Sequence, residues 1–179
     1  MQRIATTVVA LLGEQAPACL DQLGQAPNVA TARPDADAPP MERAAAAWEA
    51  ATRTHTPYLL HDADPLETVA AAWVRRFDVE HPGLAGELEV AVAETLRRWR
   101  ARAIELPDYY LVLDPEAWEE TRRHFYLGFL HRAAPNRVVP VAGTPERVAA
   151  QLGGLRSGRW WPEADRLLDG VDRVVPDRA

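Results

Sequence analysis

Short apolar runs rich in β-branched and aromatic side chains recur between stretches of helical composition, and this alternation constrains the fold more than any other feature. Ile4 to Leu12 (IATTVVALL) carries no charge over its whole length, as expected of a strand covered on both faces. Gly13 ends it. Pro57 to His61 (PYLLH), Tyr109 to Leu113 (YYLVL) and Arg137 to Val141 (RVVPV) have the same character. Val29 to Ala32 is a shorter run after the turn residues Pro27 and Asn28.

Helical segments separate these runs. Ala16 to Leu23 is followed by Gly24, placed as a helix-ending glycine. The Ala-rich Met41 to Thr52 is helical by propensity. Pro65 to Phe77 opens with proline in its first turn, Asp64 as its cap and Glu67 completing a capping-box pattern. Glu87 to Ile104 places Leu88, Val92, Leu96 and Trp99 on one stripe, after a loop over 81–86. Glu116 to Arg132 repeats the Asp–Pro opening at Asp114 and Pro115. Thr144-Pro145-Glu146 opens a helix to about Leu152, Pro162 to Leu168 forms a last helix, and Arg173 to Val175 has the composition of a final strand. Pro34 to Pro40 (PDADAPP) is a loop, since its prolines break regular structure.

Strands joined by helices of about a dozen residues imply βαβ crossovers. The expected fold class is α/β, a three-layer sandwich with a mostly parallel sheet of about five strands, flavodoxin-like or Rossmann-like. With 47% hydrophobic and 26% charged residues the chain has the composition of a globular domain. Its 179 residues fit an α/β domain over 1–155, with a Trp-containing C-terminal segment, 156–179, packed on the same domain.

Several function classes are set aside by what the chain lacks. All 20 basic residues are arginine, which removes Schiff-base chemistry and the lysine of a phosphate-binding loop. Gly-x-Gly-x-x-Gly, Walker A, Gly-x-Ser-x-Gly and His-Glu-x-x-His patterns are absent, so the NAD and P-loop nucleotide signatures are missing. Cys19 is the only cysteine, which precludes an internal disulfide or a cysteine-based zinc site; it is expected to be a buried thiol. A net charge of −6 opposes broad nucleic-acid binding. Met1 to Gly13 has one arginine and no small-residue cleavage pattern, and no apolar run approaches a bilayer span. The cytoplasm, without membrane attachment, is the expected location.

In an open parallel sheet, ligands bind beyond the carboxyl ends of the strands. Here those ends bring Glu14, the run His61-Asp62-Ala63-Asp64, and Asp114. Asp62 and Asp64 alternate onto one side, and Glu14 faces them from the first strand. Such a set suits a hard cation, Mg²⁺ or Mn²⁺, bound through Glu14, Asp62 and Asp64, with His61 or Asp114 as acid or base on a small-molecule or phosphate substrate. The same residues admit a structural role, since Asp64 and Asp114 each precede a proline as a helix cap does. A second Asp-Ala-Asp, Asp35 to Asp37, sits in a loop.

The Glu14 and Asp62-x-Asp64 placement resembles that of Toprim-type phosphotransfer domains, and Asp-x-Asp at a strand end resembles metal-dependent glycosyltransferases. Glu14 lacks the following glycine of the former, Pro65-Leu66-Glu67 lacks the glycine after its Asp-x-Asp, and little chain precedes Asp62 for the latter. The likeness extends to three residues, and the chain is assigned to neither family.

The alternative function is a non-catalytic interaction domain. Arg156, Arg159, Trp160 and Trp161 combine residue types enriched in interfaces, and a homo-oligomer through Trp160 and Trp161 is the form it would take. The run from Tyr109 through Val141 to Trp161 resembles TIR-type signalling domains in its order of strands and helices. His124 and His131, seven apart on one helix, are too distant to share a metal. Arg97, Arg98, Arg100 and Arg102 spread around their helix as a solvated face, while Arg122 and Arg123 follow Glu119 and Glu120 at pairing distance.

Overall fold

A computed structural model describes residues 6–78, 84–156, 158 and 160–176. Five parallel strands form one sheet: β1 (Thr7–Leu12), β2 (Val29–Thr31), β3 (Tyr58–His61), β4 (Tyr109–Leu113) and β5 (Val138–Val141). Their spatial order is β2-β3-β1-β4-β5. Neither the flavodoxin order, 2-1-3-4-5, nor the Rossmann order, 3-2-1-4-5, matches it. β1 is central, with Val9 opposite Leu60 on one side and opposite Tyr109 on the other.

The helices divide between the two faces according to the direction of travel. From β1 the chain moves outward to β2 through α1 (Ala16–Leu23). It returns through α2 (Pro40–Arg53) to β3, then passes β1 to β4 through α3 (Glu67–Asp78) and α4 (Leu84–Arg100). α5 (Glu120–Arg123), a π-helical stretch His124–Leu130 and α6 (His131–Ala133) run on without a break and lead to β5. Crossovers of one hand require opposite faces for opposite directions. Accordingly α1 packs with α7 (Pro145–Gly153) against Val9, Leu11 and Leu111. Helices α3, α4, the π-helical stretch and α8 (Ala164–Leu168) cover Ala10, Leu12 and Val112 on the other face.

The second of these layers holds most of the aromatic mass. Trp73 is fully buried, tilted against Phe77 and Phe125 with centroids at 4.8 and 5.7 Å. Its indole donates to the Val171 carbonyl at 3.0 Å, tying a turn near the C-terminus to the core. Trp161 is buried too, edge-on to Tyr110 and donating to the Pro107 carbonyl at 2.8 Å. Leu167, Leu168 and Val171 join the same cluster.

Several expectations change. Val171–Arg173 is a 3-10 turn and Val174 and Val175 are not in a strand, so the final strand expected at Arg173–Val175 is absent. The expected 116–132 helix is broken: Pro115–Ala117 is a separate 3-10 turn, and the helix proper starts at Glu120. α4 starts at Leu84, earlier than expected, and ends at Arg100. Residues 4 and 5 of the first apolar run, and 79–83 with His81, lie outside the described residues. No described helix is long and apolar enough to cross a membrane.

Candidate functional site at the strand carboxyl ends

A cleft of about 530 Å³ opens at the carboxyl ends of β1, β3 and β4. The connection from β1 turns to one face there, and those from β3 and β4 turn to the other, so the loops part and leave a hollow. This is a topological switch point. Glu14, Asp62, Asp64 and Asp114 all line it, together with Arg43, Glu67 and Glu119. Trp118, Arg122 and Tyr126 form the wall contributed by the segment after β4.

The backbone around the cleft is shaped by two close approaches. Gly13 follows β1 with φ +131°, in the region that favours glycine, and its Cα faces the Leu113 carbonyl so closely that a Cβ would lie 3.0 Å from it. Asp114 follows β4 in the left-handed region, φ 44° and ψ 54°. Its carboxylate accepts from the Gly143 amide at 2.7 Å, and a side chain at Gly143 would collide with that carboxylate. Asp114 is therefore a tie between the loops after β4 and β5. Its side chain makes no cap bond, which corrects the cap reading of this residue.

Asp64 forms the floor. It is 3% exposed and accepts three hydrogen bonds. Tyr110 donates to Oδ1 at 2.8 Å, the Leu66 amide donates to the same oxygen at 2.8 Å, and Tyr126 donates to Oδ2 at 2.5 Å. The amide bond is the local cap foreseen in the sequence; the two phenols are not local. Burial pushes the Asp64 carboxyl above the usual range, opposed by the hydrogen bonds from Tyr126, Leu66 and Tyr110. Burial and the adjacent carboxylate raise both phenols well above their ordinary value, so they stay protonated as donors. The capping box does not form: the Glu67 carboxylate turns instead to Arg43.

Arg43, delivered by α2, lies between two carboxylates, 3.5 Å from Glu67 and 3.7 Å from Asp62. Its Nε is buried without a partner among the described residues. Burial raises the Glu67 carboxyl, with Arg43 opposing. Arg122 stacks over the Trp118 ring at 4.9 Å, and no described carboxylate lies in ion-pair contact with it, so the expected helix-surface pairing of Arg122 is replaced by a cation–π contact. The Trp118 indole donates to the Leu113 carbonyl at 2.9 Å, which fixes that wall to the end of β4.

Of the residues singled out in the sequence, four reach one cleft and one does not. His61 is 4% exposed, does not line the cleft, and has Nδ1 buried without a partner. Burial lowers its pKa to about 4, so it is neutral at neutral pH. Among the described residues no group of three His, Cys, Asp or Glu side chains is placed to hold a metal ion by itself. Arg43, Tyr110, Tyr126 and Trp118 were not foreseen as site residues. Only the aromatic doublet Tyr109-Tyr110, whose alternation sends one ring to each face, offered a signal.

His61 has a measurable consequence. Its folded pKa lies below the unfolded value of about 6.5, so between about pH 6.5 and 4 the unfolded chain binds the extra proton. The native state should lose about 3 kcal/mol over that window as pH falls. Urea unfolding of wild type and His61→Gln at pH 7 and pH 4.5 checks this; an equal loss in both proteins would exclude His61 as the cause.

The remaining candidates lie outside the cleft. Cys19 is buried and its thiol is raised by burial. His131 Nδ1 is 3.0 Å from the Val138 carbonyl, and His124 stacks on Trp73. Glu94 binds both Arg97 and Arg98. Trp161 is core, so the adjacent tryptophans do not form a common surface. Trp160, 39% exposed, is stacked by Arg137 at 4.0 Å; Ser157 and Arg159 lie outside the described residues. Comparison of the chain with protein-family models, curated proteins and solved structures finds no match.

Proposed function

We propose that the protein is an enzyme acting on a small anionic molecule, a phosphate or phosphoester, bound in the cleft together with a divalent cation. The observation that carries this reading is the convergence of Glu14, Asp62, Asp64 and Asp114 on a cleft at the switch point of the sheet. Mg²⁺ usually keeps several waters and takes one or two protein carboxylates plus substrate phosphate oxygens. A preformed triad is therefore unnecessary. Asp62, half-buried, and Glu14, exposed, are the carboxylates open to such an ion, while Asp64 is engaged by three donors behind them. Arg43 and Arg122 supply positive charge for the anion.

Thermal unfolding with Mg²⁺, with inorganic phosphate, and with both tests the reading. A ligand at about 100 times its dissociation constant adds about 2.7 kcal/mol, a rise in midpoint of about 5–11 °C for a chain of this size. Asp62→Asn should abolish the Mg²⁺-dependent part while changing the ligand-free midpoint little, since its ion pair with Arg43 is long and partly solvated. Absence of any shift in wild type would refute the proposal.

A further inference from the structure

Carboxylates outnumber arginines in the lining of the cleft, yet Arg43 and Arg122 leave most of their hydrogen-bonding capacity unused. Arg43 reaches Glu67 at 3.5 Å and Asp62 at 3.7 Å, longer than the usual N–H···O range of about 2.7–3.2 Å. Its buried Nε has no partner among the described residues. Arg122 makes no ion pair and no hydrogen bond among them. Glu119 precedes it at pairing distance, but the Glu119 carboxyl lies against Asp78 instead. Arg122 is held by stacking: its guanidinium lies over the Trp118 ring at 4.9 Å. Trp118 is itself fixed, by its bond to the Leu113 carbonyl and by edge-on contact with Tyr126. The planar fork is therefore oriented before any ligand arrives. Both guanidinium charges act on the Glu67 carboxyl, so the two arginines occupy neighbouring positions. The cleft, about 530 Å³, has the size of sites that enclose drug-sized ligands, about 300–1,000 Å³, and a lone phosphate does not fill it.

Resting on the reading above, we propose that the cleft takes a diphosphate group, with Arg43 and Arg122 each holding one of its phosphoryl units. Arg43, beside Asp62, meets the unit that shares the divalent cation. Arg122, presented from the Trp118 platform, meets the other. A guanidinium fork matches two oxygens of a phosphoryl group, and such charge-assisted hydrogen bonds are about twice as strong as neutral ones. Because both charges reach the same Glu67 carboxyl, the anionic units they hold are adjacent, as in a diphosphate, rather than at the two ends of a long molecule. Adjacent phosphoryl units also offer the cation several oxygens, so that Asp62 and Glu14 suffice as its protein ligands.

The test is titration calorimetry of the full chain with Mg²⁺ present, using inorganic phosphate and inorganic pyrophosphate as probes. Wild type should bind pyrophosphate more tightly by about tenfold or more, the effect of one added set of charge-assisted hydrogen bonds. Arg122→Gln should bring the two affinities close to equal. Arg122→Lys keeps the charge without the stacked fork, and its preference for pyrophosphate should fall to about threefold or less. Arg43→Lys should weaken both probes together and keep the preference. Ligand-free thermal midpoints establish that each variant is folded. A wild-type preference surviving in Arg122→Gln would overturn the diphosphate assignment, as would equal binding of the two probes by wild type; either result leaves the phosphate site intact. The full preference in Arg122→Lys would overturn the role of the fork. Binding of neither probe by wild type would overturn both this assignment and the phosphate site.

Discussion

Trp73→Ala is expected to lower the free energy of unfolding by about 3–5 kcal/mol, the range for removing a large aromatic from a packed core. The ring is fully buried against Phe77 and Phe125, and its neighbours come from several elements, so the cavity cannot close without moving them. The substitution also strips the Val171 carbonyl of its donor. A fall in midpoint of about 6–20 °C follows at 2–4 °C per kcal/mol. Trp73→Phe should lose less, since most of the ring volume is kept. Thermal and urea unfolding of both variants checks the ordering, and limited proteolysis of the segment after Gly153 should accelerate in Trp73→Ala first. Equal stability of the two variants would mean that the indole N–H, rather than the ring volume, holds that segment.

The second large effect is at Asp64. Alanine there orphans three buried donors, the phenols of Tyr110 and Tyr126 and the Leu66 amide, each at about 1–3 kcal/mol. A loss of several kcal/mol is expected. The combined replacement Asp64→Leu, Tyr110→Phe, Tyr126→Phe should recover much of it, because the Leu66 amide is then the one donor of the three left unpaired. If the triple variant is no more stable than Asp64→Ala, packing rather than hydrogen bonding governs the site. The pH signature has the opposite sign to that of His61. Burial raises the folded Asp64 pKa above 3.8, so the native state holds the proton more tightly. That term stabilises the fold below the unfolded value and is lost as pH rises through the folded value. The difference in stability between wild type and Asp64→Asn should therefore change against wild type as pH rises through that window.

Much of the architecture was legible because strand and helix signals are local. The uncharged run before Gly13 is a central strand, and YYLVL is another, since only a strand covered on both faces can be apolar at every position. Pro145 after Thr144 gave a true cap, with the Thr144 hydroxyl accepting from the Arg147 amide at 3.4 Å. Asp114 before Pro115 carries the same signal, but its side chain makes no cap bond. Its left-handed backbone and its bond to Gly143 are set by a strand that arrives about 25 residues later. Trp160 and Trp161 could not be separated in sequence either: which of two adjacent rings is core depends on the Pro107 carbonyl and Tyr110 meeting Trp161.

The sequence alone determined the fold class, the parallel strands, and the placing of Glu14, Asp62, Asp64 and Asp114 at their carboxyl ends, because each depends on hydrophobic period and turn chemistry within a dozen residues. Only the tertiary structure decided the strand order, the exclusion of His61 from the cleft, and the enclosure of Asp64 by Tyr110 and Tyr126. Those depend on side chains 46 and 62 residues away, brought close by a crossover past β1 and a π-helical stretch. No local pattern encodes that distance: burial and long-range hydrogen bonding act only once the sheet has assembled.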